Sequence, residues 1–509
     1  MPSTRYVALP KPSKRSTAVY LYRSDRSTKV RQVLWGDQLQ VEQEMSGGWL
    51  KVHWAPNADD GGEMLYIRKS HTTEHRPLEI VFVDVGQGDG AVLIAPEPDG
   101  TERVSVIDAG ERQNMHDFLL RRFGTYATSR QFHAAVITHP DKDHYQGFES
   151  IFADRRFGFD HLYHSGLVER PVAEAKQFDK LGGKTTDPDN GVEYVADLAD
   201  GKTDFRRHFG PDVDIGDYQY PAVMREALAN RKIKGYERVG REMTATRTEW
   251  LDECAPDDGR DYTVEVLGPV VESKHGEARL RRLGKPSETK NGHSIILKLT
   301  IGDFRILFGG DLNDRAERFL LQHYTQRDAF PSKGSQDYED MVADASRTFR
   351  SDVMKACHHG SEKVTDAFLR AVNAAAFVVS SGEDGHIHPR PDLLGRLGTF
   401  GRGNRPVILS TELQRSTRAR EDEETVTDLM ADVKEAAEGP AQTPTDVEKL
   451  VERIERLGRT NVAVWGSIYV KTDGERLITA FKIETGSETK KWFYYEYAWD
   501  DEGLLSLVD

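Results

Sequence analysis

The feature that most constrains this chain is a repeated grammar in which an apolar run of strand length ends in histidine or aspartate. AAVI runs into Thr138-His139-Pro140-Asp141-Lys142-Asp143-His144, and FRILFG into Gly310-Asp311. DVMKAC runs into His358-His359-Gly360-Ser361, and FVVSSGEDG into His386-Ile387-His388-Pro389. Unbroken apolar runs are strands buried on both faces, so their polar C-terminal ends deliver functional groups to one sheet edge. The densest of these ends places four possible metal ligands, His139, Asp141, Asp143 and His144, between residues 139 and 144. A strand end followed by a tight turn aims alternate side chains into one cavity, and a mixed histidine and carboxylate set suits Zn, Mn or Fe rather than an all-oxygen calcium cage.

Other parts of the chain read differently. Residues 1–15, rich in Pro, Ser, Lys and Arg, are expected to form a loose tail. Between residues 16 and 72, the runs AVYLY, KVRQVLW, DQLQVEQE, GWLKVHW and EMLYIRK alternate with turn residues and predict a small all-β barrel. From residue 76 to 509 the strand-end grammar governs, with insertions expected at about 166–259 and 412–460. The glycines of VGQGDG lack the G-x-G-x-x-G spacing and join two strands, which makes them a hairpin turn rather than a phosphate loop. Asp84 and Asp89 flank that turn and serve either the metal loop or the hairpin itself.

Composition sets outer limits. The formal net charge is -15, so the whole surface does not coat nucleic acid or anionic membrane. Two stretches are nonetheless basic. Arg225–Arg247 holds seven Lys/Arg against three Glu, and Lys274–Lys290 six against two. They read either as a phosphate-tracking groove, with Arg231, Lys232, Lys234, Arg281 and Arg282 as contacts, or as solvated faces. The aromatic run Trp492 to Trp499 reads as strand packing or as a base-stacking surface. Cys254 and Cys357 are too few for a disulfide framework and fit a reducing, cytoplasmic setting. No apolar run approaches a secretory signal or a membrane span.

Taken together, FVDVGQGDGAVLI, VIDAG, ITHPDKDHYQGF, NGHSIILKL, LFGGDL, KACHHGS and GHIHP resemble, in order, the metallo-β-lactamase superfamily. Within it they are most similar to the soluble hydrolase domain of ComEC-type DNA-uptake proteins, and the N-terminal barrel resembles bacterial SH3-like domains. The resemblance implies an αββα sandwich, an α/β fold, preceded by that barrel. It implies two divalent ions, zinc or manganese. One would be held by His139, Asp141 and His164, the other by Asp143, His144 and one of His358 and His359, with Asp311 bridging. Asp108 of VIDAG would orient a ligand by hydrogen bonding. His388 would either protonate a leaving oxygen or line the pocket, and Ser361 would help bind substrate. The implied reaction is hydrolysis through a metal-activated hydroxide, with Asp143 and Asp311 essential and a nucleic acid phosphodiester as substrate. A small phosphodiester, such as a cyclic nucleotide or a cell-surface phosphoester, is the enzymatic alternative. A non-catalytic metal-binding module, with a protein partner on the barrel, is the other.

Overall fold

The computed structural model describes residues 3–10, 18–55, 62–123, 129–171, 178–245, 248–382, 388–403, 405–414, 423–439, 443–458, 463–483, 485–499, 503 and 505–508. His386, Arg247 and residues 11–15 lie outside them. The apolar runs form two sheets stacked face to face. The larger has ten strands in the order Ile233–Arg238, Phe157–His164, Arg130–Ile137, Glu102–Ala109, Gly90–Pro96, Leu78–Phe82, Ile468–Thr472, Leu477–Lys482, Trp492–Trp499 and Leu505–Leu507. Its first four strands are mutually parallel. The smaller has six, in the order Tyr262–Gly268, Ile296–Ile301, Phe304–Phe308, Val353–Lys355, Ala376–Val379 and Val407–Ser410, the last four parallel. Parallel strands share one C-terminal edge, and every strand-end motif therefore arrives on the same side of the sandwich.

Three apolar cores fix the layers. One lies between the sheets and joins Phe82, Val136, Leu297 and Phe308. A second packs the outer face of the large sheet on Met115, Phe148, Phe205 and Val223, from four helices. A third packs the small sheet on Leu320, Met341, Phe368 and Leu393, again from four helices. The helix Gln336–Phe349 shows why: Tyr338, Met341, Val342, Ala345 and Phe349 are its buried residues, spaced as one helical face. Ser335 caps it by accepting from the Tyr338 N–H at 3.2 Å. The architecture is a four-layer α/β sandwich.

The N-terminal runs form a seven-stranded antiparallel sheet around Val7, Leu21, Leu39, Val52 and Ile67. Residues 3–7, expected in a loose tail, are instead a strand paired with Gln38–Met45. This unit is fastened to the sandwich. Leu34 and Trp35 pack on Ile478 and Ala480, and Gln32 exchanges two hydrogen bonds with the Trp492 backbone, at 3.1 and 3.0 Å. Of the C-terminal aromatics, Tyr497 belongs to the inter-sheet core, Trp492 and Tyr494 lie against the N-terminal unit, and Phe493 is exposed.

Both expected insertions are partly structured into the whole. Ile233–Arg238, within the first, is the edge strand of the large sheet rather than part of a separate excursion. The rest supplies the helices Lys202–Phe209 and Gln219–Ala229, which cover the large sheet, and short strands of a small sheet that also contains Val270–Lys274 and Glu277–Arg281. The second holds two helices, Glu423–Glu438 and Pro444–Gly458, rising from the paired strands Glu412–Gln414 and Ala463–Trp465. Both cysteines are buried and unpaired. Among the described residues no helix is long and apolar enough to cross a membrane.

Candidate metal centre

The site is built where the two parallel edges meet. Asp108 sits near the end of Glu102–Ala109 with φ of 55°, a left-handed backbone that few non-glycine residues adopt. This turn carries its carboxylate across to the next strand end. One oxygen accepts from the Thr138 N–H at 2.8 Å; the other lies 2.7 Å from Thr138 Oγ1 and 2.8 Å from His144 Nδ1. His144 thus donates Nδ1–H to Asp108 and turns Nε2 inward as the atom that can bind an ion, the orientation a carboxylate imposes on a ligating imidazole.

From the opposite sheet, His358 and His359 both adopt φ of 52°. His359 Nδ1 lies 3.1 Å from the Ser380 carbonyl, which likewise turns its Nε2 inward. The two Nε2 atoms face each other at 3.2 Å. Asp311 Oδ2 is 3.4 Å from the first and 3.0 Å from the second, and Asp143 Oδ2 is 3.2 Å from His359 Nε2. Donor atoms of Asp89, His144, Asp311 and His359 all lie within 4.8 Å of one another, in residues that are all buried. Two inward Nε2 atoms beside carboxylates call for positive charge, as protons or as a metal ion that displaces them, and nitrogen with oxygen donors is the set that zinc, manganese and iron accept. The residues fit a divalent ion.

Electrostatics agrees. Burial alone would lower the pKa of His144, yet Asp311 and Asp108 outweigh it and hold the imidazole well above its ordinary value. Burial is likewise overcome at His359, by Asp311 and Asp89. Asp311 is held well below the usual carboxylate range by His359 and His144, against burial. The pocket favours cations.

The hairpin at Gly86 to Gly90 approaches the metal loop closely. A Cβ on Gly88 would sit 1.8 Å from the Asp143 carbonyl, and its φ is +112°, so only glycine fits there. The approach lets Asp89 N–H donate to Asp143 O at 3.2 Å and carries the Asp89 carboxylate into the cluster. There it pairs with Lys355, whose ammonium also donates to Gly310 O at 2.9 Å and lies 3.6 Å from Asp311 Oδ1. Lys355 is buried with its charge kept, because Asp89 and Asp311 offset the desolvation. Asp84 does not reach the loop; its carboxylate accepts from Gly86 N–H at 3.3 Å and steadies the turn.

The second expected ligand set is arranged otherwise. His139 Nε2 lies 3.6 Å from Asp141 Oδ2, and Asp141 is in close ion contact with Lys290. His164 is buried at the end of its strand, but its Nδ1 accepts from Gly166 N–H at 3.1 Å and its ring lies on Phe205. It is not in the four-residue group. His358 stands outside it too, its Nε2 3.3 Å from the Asn291 side-chain amide. His388 lies alongside, with ring centroids 6.0 Å from His358 and 6.4 Å from His359. Ser361 is buried and accepts from Lys363 N–H, so its hydroxyl braces its own turn.

The side chains expected along a basic groove have partners within the chain. Lys232 donates to Ser129 Oγ and to the Arg155 carbonyl, both at 2.6 Å, and Lys234 is bonded to Asp160. With Arg231 they lie at the start of Ile233–Arg238, whereas the metal ligands follow strand C-termini. Strand geometry separates the two edges by about 15–20 Å. Arg281 and Arg282 are paired with Glu272 and Glu193. Among the described residues, two places in these stretches touch an expected ligand: Lys290 contacts Asp141, and Val239 N–H, next to Arg238 at the far end of its strand, donates to the His164 carbonyl at 2.9 Å.

No protein-family model matches this chain, and no curated protein matches it. Among solved structures, it is similar to the crystal structure of Zn(2+)-bound PqqB from Methylobacterium extorquens. The TM-score is 0.31 and the identity 10%, over 65% of this chain and 97% of that one. A likeness this loose fixes neither family nor activity.

Proposed function

We propose that the protein is a metal-dependent hydrolase of the metallo-β-lactamase type and that it acts on phosphodiesters. The observation that carries this reading is the pair of inward Nε2 atoms of His144 and His359 at 3.2 Å, flanked by Asp143 and Asp311. A zinc or manganese ion bound there would supply Lewis acidity and acidify a water. The chain's own residues do the rest: Asp108 and the Ser380 carbonyl hold the imidazoles in one tautomer, and Asp311 is kept ionised as a base or ligand. His388 stands beside the histidine pair, where it is suited to give a proton to a departing oxygen.

Within this class, motif order resembling the ComEC-type domain supports a nucleic acid substrate. A small phosphodiester is favoured by a different observation, the engagement of Lys232, Lys234, Arg281 and Arg282 in partners of their own. The seven-stranded N-terminal unit, which resembles SH3-like domains in sequence, is read as a brace for the C-terminal strands. The test is hydrolysis of bis-p-nitrophenyl phosphate by protein stripped with chelator and reloaded with Mn²⁺ or Zn²⁺, beside a single-stranded oligonucleotide and a β-lactam. Metal-restored cleavage of the diester, with none of the β-lactam, is expected. Metal-loaded protein inert on both diesters would overturn the assignment.

A further inference from the structure

Resting on that reading, we propose that the centre holds a single divalent ion, on the His144 and His359 side, and that the Lys290 ammonium takes the place of a second cation beside His139 and Asp141. Three observations converge on this. The first is the ion pairing of Asp141. Lys290, on the short helix Pro286–Gly292, contacts Asp141 Oδ1 and lies 2.7 Å from Glu169 Oε1, with its side chain 14% exposed. The Asn291 amide nitrogen, in the orientation that satisfies its neighbours, donates to Asp141 Oδ2 at 2.7 Å and to Ser287 O at 2.8 Å. Both carboxylate oxygens are therefore occupied by fixed groups.

The second is the tautomer of His164, the third ligand the sequence offers for this half. Its Nδ1 accepts a backbone N–H, so a neutral ring carries its proton on Nε2 and has no lone pair to give the cavity. His144 and His359 have the opposite arrangement, with Nδ1 facing an acceptor and Nε2 turned inward. The third is charge. A half-buried ammonium in contact with Asp141 repels a divalent ion brought to the same carboxylate, and it supplies the positive charge that Asp141 and Glu169 need.

The experiment counts metal. The full chain, saturated with Mn²⁺ and passed through a desalting column, is measured by inductively coupled plasma mass spectrometry. One equivalent is expected in the wild type, in His139→Ala and in Lys290→Arg, and close to none in His359→Ala. Lys290→Ala removes the ammonium, leaves Asp141, Glu169 and His139 facing one another, and is expected to rise toward two equivalents. Circular dichroism checks that each variant is folded. Two equivalents in the wild type would overturn the single-ion proposal while leaving the hydrolase reading intact. A count that stays at one in folded Lys290→Ala would overturn the role given to the ammonium. A wild type that holds no metal would overturn the hydrolase reading and this proposal with it.

Discussion

The two halves of the centre carry similar donors in opposite states. Each offers imidazole nitrogen and carboxylate oxygen, each follows a parallel strand end, and each has a lysine at hand, Lys355 buried and Lys290 half-buried. On one side Lys355 takes Asp89 and the Gly310 carbonyl, leaving Asp311 Oδ2 turned to the histidines. On the other, Lys290 takes the expected ligand Asp141 itself. Donor type alone does not decide where an ion sits. The outer oxygens and protons that each donor is already committed to decide it.

The largest effect expected from this contrast is in the ligand variants. His359→Ala or Asp311→Ala should lower turnover of bis-p-nitrophenyl phosphate by about 100- to 1000-fold, the scale of losing a group aimed at developing charge. His139→Ala should cost about tenfold or less, near 1.4 kcal/mol of barrier. Equal losses on the two sides, measured by kcat at saturating metal, would erase the distinction between the halves.

A smaller loss is expected one layer out. Asp108→Asn keeps the size of the side chain and weakens its hold on His144 Nδ1–H, so Mn²⁺ affinity should fall about 10- to 100-fold. Titration calorimetry reads this directly. The same titration in buffers of different ionisation enthalpy should show proton release, since His144 and His359 hold protons above the ordinary histidine pKa until the ion displaces them. With raised pKa values the apparent affinity should continue to climb as pH rises past about 6.5.

Lys355 sharpens the comparison through stability. Lys355→Met removes the ammonium from buried Asp89 and leaves it with His359 Nδ1 at 3.1 Å, which should cost about 3–5 kcal/mol in urea unfolding, and the double variant with Asp89→Asn should recover most of it. If Lys355 only neutralises Asp89, the double variant also recovers turnover. If it positions Gly310 and Asp311 as well, turnover stays low in a protein of normal stability, which is the outcome expected here.

An effect on stability alone lies outside the centre, in the helix that follows Asp311. Glu317 is buried against the N-terminus of Asp366–Val372, and burial pushes its pKa up to about 8. The folded chain then holds a proton that the unfolded chain releases near pH 4.5. Stability should fall as pH rises between those values, by at most about 1.4 kcal/mol per pH unit from this group. Glu317→Gln should flatten that segment of the curve; an unchanged slope would mean that the carboxyl ionises freely.

How much of this was written in the chain depends on whether a residue's role is local. The loop from His139 to His144 and the turn at Gly310-Asp311 were legible because ligand spacing and strand ends are short-range properties. Asp108 was legible through its place in VIDAG. Asp89 was visible only as a turn residue, since its entry into the cluster needs Gly88 to touch a loop more than fifty positions away. Lys355 was hidden inside an apolar run. In the basic stretches, counting charges does not reveal partners such as Glu193 for Arg282, or which sheet edge Lys232 occupies. The strand Ser3–Val7 was missed because its pairing is with residues in the fourth strand of its sheet.

The most direct test of the central claim is anomalous diffraction from crystals grown with Mn²⁺ and measured on either side of the manganese absorption edge. The account predicts one strong peak per chain within ligand distance of His144 Nε2, His359 Nε2 and Asp311 Oδ2. A peak held by His139 and Asp141 with Lys290 swung away, or no peak in this pocket at saturating metal, would contradict it.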